Sequence, residues 1–545
     1  MKYILLSLIS GVLLALSWPT YGIPFFIFFA LVPLLFMEHE VSLFSNYKRK
    51  GWVVFGLSYL CFVVWNTITT GWLYGSLNPD GSHSLQAVLI PILANSFLYS
   101  LVFQFYHWYK KSMGTYWGIA FFMAIWMAFE KFHLGWELTW PWLNLGNAFS
   151  DYPKLIQWYD TLGATGGSLW ILAVNMFIFY TYRIYQAGRK RKDLIKNISI
   201  TVVLIVLPMM ISLIKYHSFD AKPIGTVNTL LLQPDLDPYV EKYQQDSLTI
   251  TNDLLALAQR NSTKEIDFYI APETAVPGRG SLSETGFHNS EVLRRITEFL
   301  ESHPKSVFAG GISSHRYFKD GEQPDNAYDL GAGFWVESYN SAIQMVPQQP
   351  IQVYHKGKLV PGVEIFPYMN VLKPLLGDVM INMGGTVASL GRDKERKVFT
   401  NPYNKGKLAP IICYESIYGE FVAEYVQKGA NFLSIMTNDS WWGVSEGHRQ
   451  LLSYARLRAI ENRREIARSA NSGVSAHINA LGEIEADTLY GDQTALLAKI
   501  KLYDVDTFYS RSGDLLSRLA VFVLGFLIFY ALIDHYKNRK NQIKI

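Results

Sequence analysis

Eight stretches of this chain are apolar enough to cross a hydrocarbon core, and the basic residues between them alternate from one connector to the next. The stretches lie near 3–18, 22–37, 52–73, 86–108, 115–132, 166–185, 198–215 and 516–534. Each approaches the roughly 20 residues that a membrane-spanning helix needs. Composition agrees: 17% of residues are charged and 50% hydrophobic, against roughly 25% charged in soluble domains. The first stretch, with Lys2 ahead of a leucine-rich centre, could also start as a signal peptide. Trp18-Pro19-Thr20-Tyr21-Gly22 is a poor cleavage site and a second apolar run follows at once, so a retained helical hairpin is expected.

The alternation sets an orientation. Lys48-Arg49-Lys50, Lys110-Lys111 and Arg189-Lys190-Arg191-Lys192 follow the second, fourth and sixth stretches, and the tail carries Lys537-Asn538-Arg539-Lys540, whereas 74–86 holds no Lys or Arg. Basic connectors stay in the cytoplasm. The long polar insert is then external. The organisation predicted is a seven-helix transmembrane domain over 1–218, an extracytoplasmic domain over 219–510, and a final transmembrane helix with a basic cytoplasmic tail over 511–545. The external connector over 133–165 carries Trp136, Trp140, Trp142 and Trp158. It reads either as an interfacial aromatic belt or as a lip guiding a lipid chain. A net charge of +4 is too slight to suggest a nucleic-acid partner.

Within the insert, β-branched and apolar runs alternate with amphipathic ones. Strands are expected at 226–233, 268–272, 306–311, 408–413 and 431–437, a hairpin over 333–345 and 351–356, helices over 239–260 and 292–303, and late strands at 473–478 and 494–499. Such alternation predicts an α/β body with its sheets largely buried. No phosphate-cradling glycine loop and no zinc-spaced His/Cys cluster is present in the sequence, so no cofactor or metal is expected.

Cys61 sits in an apolar run and reads as a buried hydrophobe. Cys413 closes an apolar strand, Leu408-Ala-Pro-Ile-Ile-Cys413-Tyr414-Glu415, where a turn and helix would present it as a nucleophile beside backbone N–H donors. A helix N-terminus and a nearby cation would lower its pKa. Alone, such a cysteine is more often structural. Glu273 in Tyr269-Ile-Ala-Pro-Glu273 and Lys356 in Tyr354-His355-Lys356 also follow strands; each could be an ordinary surface charge. Three such groups at strand ends match where α/β sheets gather their ligand sites.

In that order the three segments resemble the Glu-Lys-Cys triad of the nitrilase (carbon-nitrogen hydrolase) superfamily, whose fold is an αββα sandwich. Lys356-Gly-Lys-Leu-Val-Pro361 with Glu364 and Pro367, Cys413-Tyr414-Glu415, and Thr437-Asn438-Asp439-Ser440-Trp441-Trp442-Gly443 with His448, Arg456, Arg458, Glu461 and Asn462 are similar to the apolipoprotein N-acyltransferase family. Two departures stand out: Val360-Pro361-Gly362-Val363-Glu364 replaces a common Val-Pro-Phe-Gly-Glu, and Tyr243 is the nearest counterpart of a frequent tryptophan. The resemblance implies a monomeric, multi-pass enzyme of the bacterial inner membrane with a periplasmic nitrilase-like domain. It would move an acyl chain from a phospholipid to the α-amine of a diacylated apolipoprotein through a thioester on Cys413. Glu273 would be the base and Lys356 an oxyanion partner, with Glu364, Glu415, Tyr414 and Tyr243 in support. The rivals are a membrane-tethered amidase and, from another class, a transporter or assembly factor. Transporters carry ionisable residues in mid-membrane, and most of these apolar stretches lack them.

Overall fold

A computed structural model describes residues 1–78, 81–188, 190–242, 244–262, 265–276, 278–368 and 389–543. Tyr243 and Arg189 lie outside the described residues. The chain divides into two compact units: Met1–Leu73 with Leu85–Ser218 and Asp514–Ile545, and Tyr74–Ser84 with Phe219–Gly513.

The first unit is helical. Pro24–Phe44, Lys50–Gly75, Leu85–Met113, Tyr159–Gln186, Arg191–His217 and Leu515–Asn538 are long and apolar enough to cross a membrane. The two other expected stretches are also helices, but fall short of that standard. Lys2–Leu16 has 15 residues, about 22 Å at 1.5 Å per residue, and Thr115–His133 carries Glu130, Lys131 and His133 near its end. Gly163, at a φ of 64°, breaks the helix Tyr159–Gln186 near its start.

Two features of this unit add to the sequence reading. In the tryptophan-rich connector Trp142 and Trp158 are buried while Trp136 and Trp140 are partly exposed, and Trp142 packs edge-on against Trp72 with ring centroids 4.9 Å apart. Ionisable groups are also more common among the helices than their hydropathy suggests. Glu38, His107 and Lys110 are buried together, with His107 Nδ1 2.9 Å from Glu38 Oε1 and Lys110 bonded to the other oxygen. Glu130 accepts from the Trp126 indole at 3.1 Å and the Leu145 amide at 2.9 Å. Glu38 meets its partners from 69 and 72 positions away, beyond the reach of any sequence window.

The second unit is a two-sheet sandwich with helices outside, the αββα arrangement. Its strands are β1 (Gly225–Gln233), β2 (Phe268–Ile270), β3 (Leu282–Ser283), β4 (Val307–Lys319), β5 (Tyr328–Gly331), β6 (Phe334–Met345) and β7 (Gln352–His355). Next come β8 (Phe399–Thr400), β9 (Lys407–Ile412), β10 (Phe432–Thr437), β11 (Ile466–Ala470), β12 (Ala476–Ile478), β13 (Ile484–Asp487) and β14 (Thr494–Leu502). One sheet runs β14-β1-β2-β4-β6-β5, with β3 on β4 and β7 on β6; the other runs β13-β12-β11-β10-β9-β8. The parallel strands β9, β10 and β11 read as near-continuous buried runs, as expected where both faces are covered. Phe268 and Phe432 meet edge-on between the sheets at 5.2 Å. Outside the first sheet, Leu254, Leu255 and Ala258 of the helix Ser247–Asn261 and Ile296 and Leu300 of Glu291–Glu301 close the core over Leu230, Leu232 and Tyr269. Gly419–Gln427 and Glu446–Asn462 are the helices that accompany the second sheet.

The expected strands are present and the hairpin is β6 paired antiparallel with β7. The helix expected from 239 starts only at Ser247, capped by Asp246, whose side chain accepts from the amides of Leu248 and Thr249. Residues 239–242 form turns instead, and those turns carry Lys242 inward.

Candidate active site

Strand ends from both sheets deliver the polar groups at this site. Glu273 follows β2, Lys356 follows β7, and Cys413 follows β9. Lys356 Nζ lies 2.8 Å from Glu273 Oε1 and 2.9 Å from Glu364 Oε1. The Asn340 side-chain amide, from β6, donates to the same two oxygens at 2.8 and 2.9 Å. One cation and one amide are thus shared by two carboxylates, and Lys356 and Glu273 are almost wholly buried. Gly311 makes room for this: a Cβ there would stand 2.4 Å from the Thr274 amide and 2.7 Å from Glu273 Cα.

Charge balance decides the protonation states. Burial pushes the Glu273 carboxyl up, but Lys356, Asn340 and Lys242 outweigh it and hold it below the ordinary carboxylate value. Burial pulls Lys356 down, yet Glu273 and Glu364 keep it charged far above the usual lysine value. Burial and the Glu273 charge drive the Cys413 thiol up, beyond what Lys356 and a hydrogen bond with Thr437 recover. The depressed thiol pKa expected from a neighbouring cation is therefore not what the site produces. Its resting state is a thiol beside a carboxylate.

Cys413 holds a φ of 46°, a left-handed conformation that non-glycine residues adopt only when their surroundings enforce it. Glu415 is part of that enforcement. One of its oxygens accepts from the Ile412 amide at 2.8 Å. The other accepts from the Tyr354 hydroxyl at 2.6 Å and the Gly357 amide at 2.6 Å. A single buried carboxylate therefore ties the turn at Cys413 to the loop after Lys356. Burial pushes its pKa up even with these donors. Ser416 Oγ donates to the Cys413 carbonyl at 2.7 Å, and Arg458 reaches the Ile417 carbonyl at 2.9 Å. Tyr414 is buried, its ring edge-on to Tyr418 at 5.3 Å. Behind the thiol, Asp439 accepts from Thr437 Oγ1 at 2.9 Å and from Arg468 Nη2 at 3.1 and 2.9 Å.

Three of these groups were not singled out from the sequence. Asn340 and Arg468 interrupt strand patterns, and an interrupted strand is the one sign available for either. Lys242 is fully buried and donates to the Glu273 carbonyl at 2.9 Å. Burial lowers its pKa to about 8, against the raising influence of Glu273 and Cys413. Among the described residues no group of three or more His, Cys, Asp or Glu could hold a metal ion.

Known proteins resemble the chain along its length. The carbon-nitrogen hydrolase model matches residues 234–509, and the apolipoprotein N-acyltransferase N-terminal domain model matches residues 10–177. The apolipoprotein N-acyltransferase of Chlorobaculum tepidum is 28% identical, over 98% of this chain and 97% of that one. That of Geobacter metallireducens is 26% identical, over 94% and 91%. Apolipoprotein N-acyltransferase 1 of Treponema denticola is 27% identical, over 98% and 97%. The chain belongs to the carbon-nitrogen hydrolase family and, through its N-terminal domain, to the apolipoprotein N-acyltransferase branch of it.

Proposed function

We propose that the enzyme transfers an acyl chain from a membrane phospholipid to the free α-amine of a diacylated apolipoprotein, with Cys413 as carrier and Glu273 and Lys356 as its partners. The observation that carries this reading is the carboxylate–lysine–carboxylate cluster on Cys413's doorstep. Lys356 is already held by Glu273 and Glu364, so its charge is fixed in place before any substrate arrives. Preorganised charge of this kind is what stabilises a developing oxyanion.

In the first half-reaction Glu273 takes the Cys413 proton as sulfur bonds to the ester carbonyl carbon. The oxyanion is met by Lys356 and by the backbone N–H of Tyr414. As the intermediate collapses, the C–O bond breaks and Glu273 returns the proton to the lysophospholipid alkoxide. In the second half-reaction the neutral amine attacks the thioester, Glu273 takes the surplus amine proton, and the C–S bond breaks. The proton then returns to the departing thiolate. Because the thiol is held protonated at rest, proton transfer accompanies attack and does not precede it.

Glu415 and Glu364 act by position: the first joins the lysine loop to the Cys413 turn, the second helps hold Lys356. An external catalytic unit in a bacterial inner membrane is supported by the basic connectors, and by the membership of Tyr74–Ser84, next to no basic residue, in the α/β unit. The boundaries 1–218, 219–510 and 511–545 express the same plan.

The test is direct. Full-length protein is incubated with phospholipid labelled in its acyl chain and digested, and the Cys413 peptide is weighed. An acyl thioester that an apolipoprotein amine discharges supports the reading. Absence of the thioester, with ammonia released from simple amides, would replace it with an amidase.

A further inference from the structure

The helical unit contains a cleft of about 1010 Å³ to which no role has been given. It is built where helix ends converge: the last turns of Val32–Phe44 and Leu85–Met113, the starts of Lys50–Thr70 and Thr115–His133, and the end of Tyr159–Gln186. Six cations line it: Lys48, Arg49, Lys50, Lys110, Lys111 and Arg183. Among the described residues the only carboxylate in the lining is Glu38, and Lys110 and His107 already engage it. Two of the remaining cations are fixed by neutral acceptors that leave their charge uncompensated. Lys50 Nζ donates to the Ser42 carbonyl at 2.9 Å, and Arg183 Nη1 donates to Thr115 Oγ1 at 2.6 Å.

The rest of the lining is apolar. Phe55 and Phe97 meet edge-on at 5.7 Å, with Leu43, Leu101, Trp52 and Trp108 beside them. Trp52, Phe97 and Trp108 are each about half exposed or more. A soluble anion has no use for that surface. An amphiphile uses both halves: a phosphate against the cations, an acyl chain along Phe55, Phe97 and Leu101. Basic pockets between membrane helices recognise anionic headgroups in this way.

We propose that the cleft is a binding site for an anionic phospholipid, with its phosphate held among Lys48, Lys50, Lys111 and Arg183. All its lining residues belong to the helical unit. The proposal rests on the membrane reading of these helices and not on the chemistry at Cys413.

Delipidated full-length protein in detergent is mixed with phosphatidylglycerol or phosphatidylcholine of matched chains, and retained lipid is read by native mass spectrometry. Phosphatidylglycerol is expected to be retained in preference. A cation near an anionic headgroup is worth about fivefold in affinity, so Lys111→Gln with Arg183→Gln should weaken retention about 25-fold. Lys111→Arg with Arg183→Lys should restore it. Equal retention of the two lipids, an unchanged double variant, or inorganic phosphate binding as tightly as the lipid would each overturn the proposal. Thioester formation at Cys413, measured on the same samples, should be unchanged. Its loss in step with lipid retention would make the cleft part of the donor's route, which also overturns a separate site.

Discussion

Two buried lysines in this protein meet carboxylates, and their surroundings carry opposite surpluses of charge. Among the helices, Glu38 is shared by Lys110 and His107, in a cleft otherwise lined by cations. In the sandwich, Lys356 is shared by Glu273 and Glu364. One cluster consumes its only carboxylate and leaves positive charge over, fit to hold an anion. The other holds its cation between two carboxylates, with Lys242 the next cation within reach of Glu273, and keeps Glu273 ionised, as a proposed base must be. A buried ion pair is weak evidence for stability in itself; the group left unmatched is the guide to function.

The sharpest way to break this comparison is to remove the surplus carboxylate while keeping its shape. Glu273→Gln retains an oxygen for Lys356 and Asn340 but loses the carboxylate proposed as the base. Thioester formation should fall about 10²–10⁴-fold, the usual range for a general base, read as acylated Cys413 against time. A rate within a few-fold of the parent would remove Glu273 from that role. Lys356→Ala comes next. Losing one oxyanion donor typically lowers the rate about 10²–10³-fold. The same change leaves Glu273 and Glu364 near each other without the cation between them, so the melting temperature should also drop. Restoration of the rate by Lys356→Arg with the pocket intact would argue for charge alone, whereas the fixed geometry predicts no rescue.

The matching change among the helices should be smaller and of another kind. Glu38→Gln leaves Lys110 without its counter-charge, at about 1–3 kcal/mol for an under-satisfied buried group. Thermal stability of the full-length protein in detergent should decline, while thioester formation at Cys413 stays at the parent rate. Lost chemistry without lost stability would dissolve the contrast between the two clusters.

Much of the sandwich was legible because strand and helix periodicities leave local marks. β9 and β10 are largely apolar runs, β1 carries one at Leu230-Leu231-Leu232, and Glu273, Lys356 and Cys413 follow strand ends. What escaped depends on contacts between distant positions. β11 lies outside the expected strands because Arg468 and Ser469 break its pattern; inside the fold Asp439 and the Val474 carbonyl receive Arg468. Glu415 joins two loops 58 residues apart, and no window of sequence contains both. The amphipathic pattern places Lys242 in a helix, whereas turns carry it to the Glu273 carbonyl. In the helical unit, hydropathy marks all eight stretches that form helices, but the pairing of Glu38 with Lys110 at the ends of two of them joins positions 72 apart, which no window of sequence contains.

Lys242 gives the smallest effect and the finest test of charge at the site. It lies within electrostatic reach of both Glu273 and Cys413, and burial lowers its pKa to about 8. Below that pH its charge favours a developing thiolate or oxyanion; above it the charge is gone. Thioester formation should therefore decline as pH rises through about 8, by roughly one order of magnitude or less for a single nearby charge. The first half-reaction must be measured alone, because the acceptor's α-amine also titrates near pH 8 and in the opposite sense. In Lys242→Met the decline should vanish, leaving a flat profile at the lower level. Stability should move the other way. The unfolded lysine keeps its proton to about pH 10.4, so between about 8 and 10.4 the unfolded chain binds more protons and the folded state gains stability as pH rises. That slope should be missing from Lys242→Met. If both slopes persist in the variant, the titrating group is elsewhere, and Lys242 serves only to hold the Glu273 carbonyl.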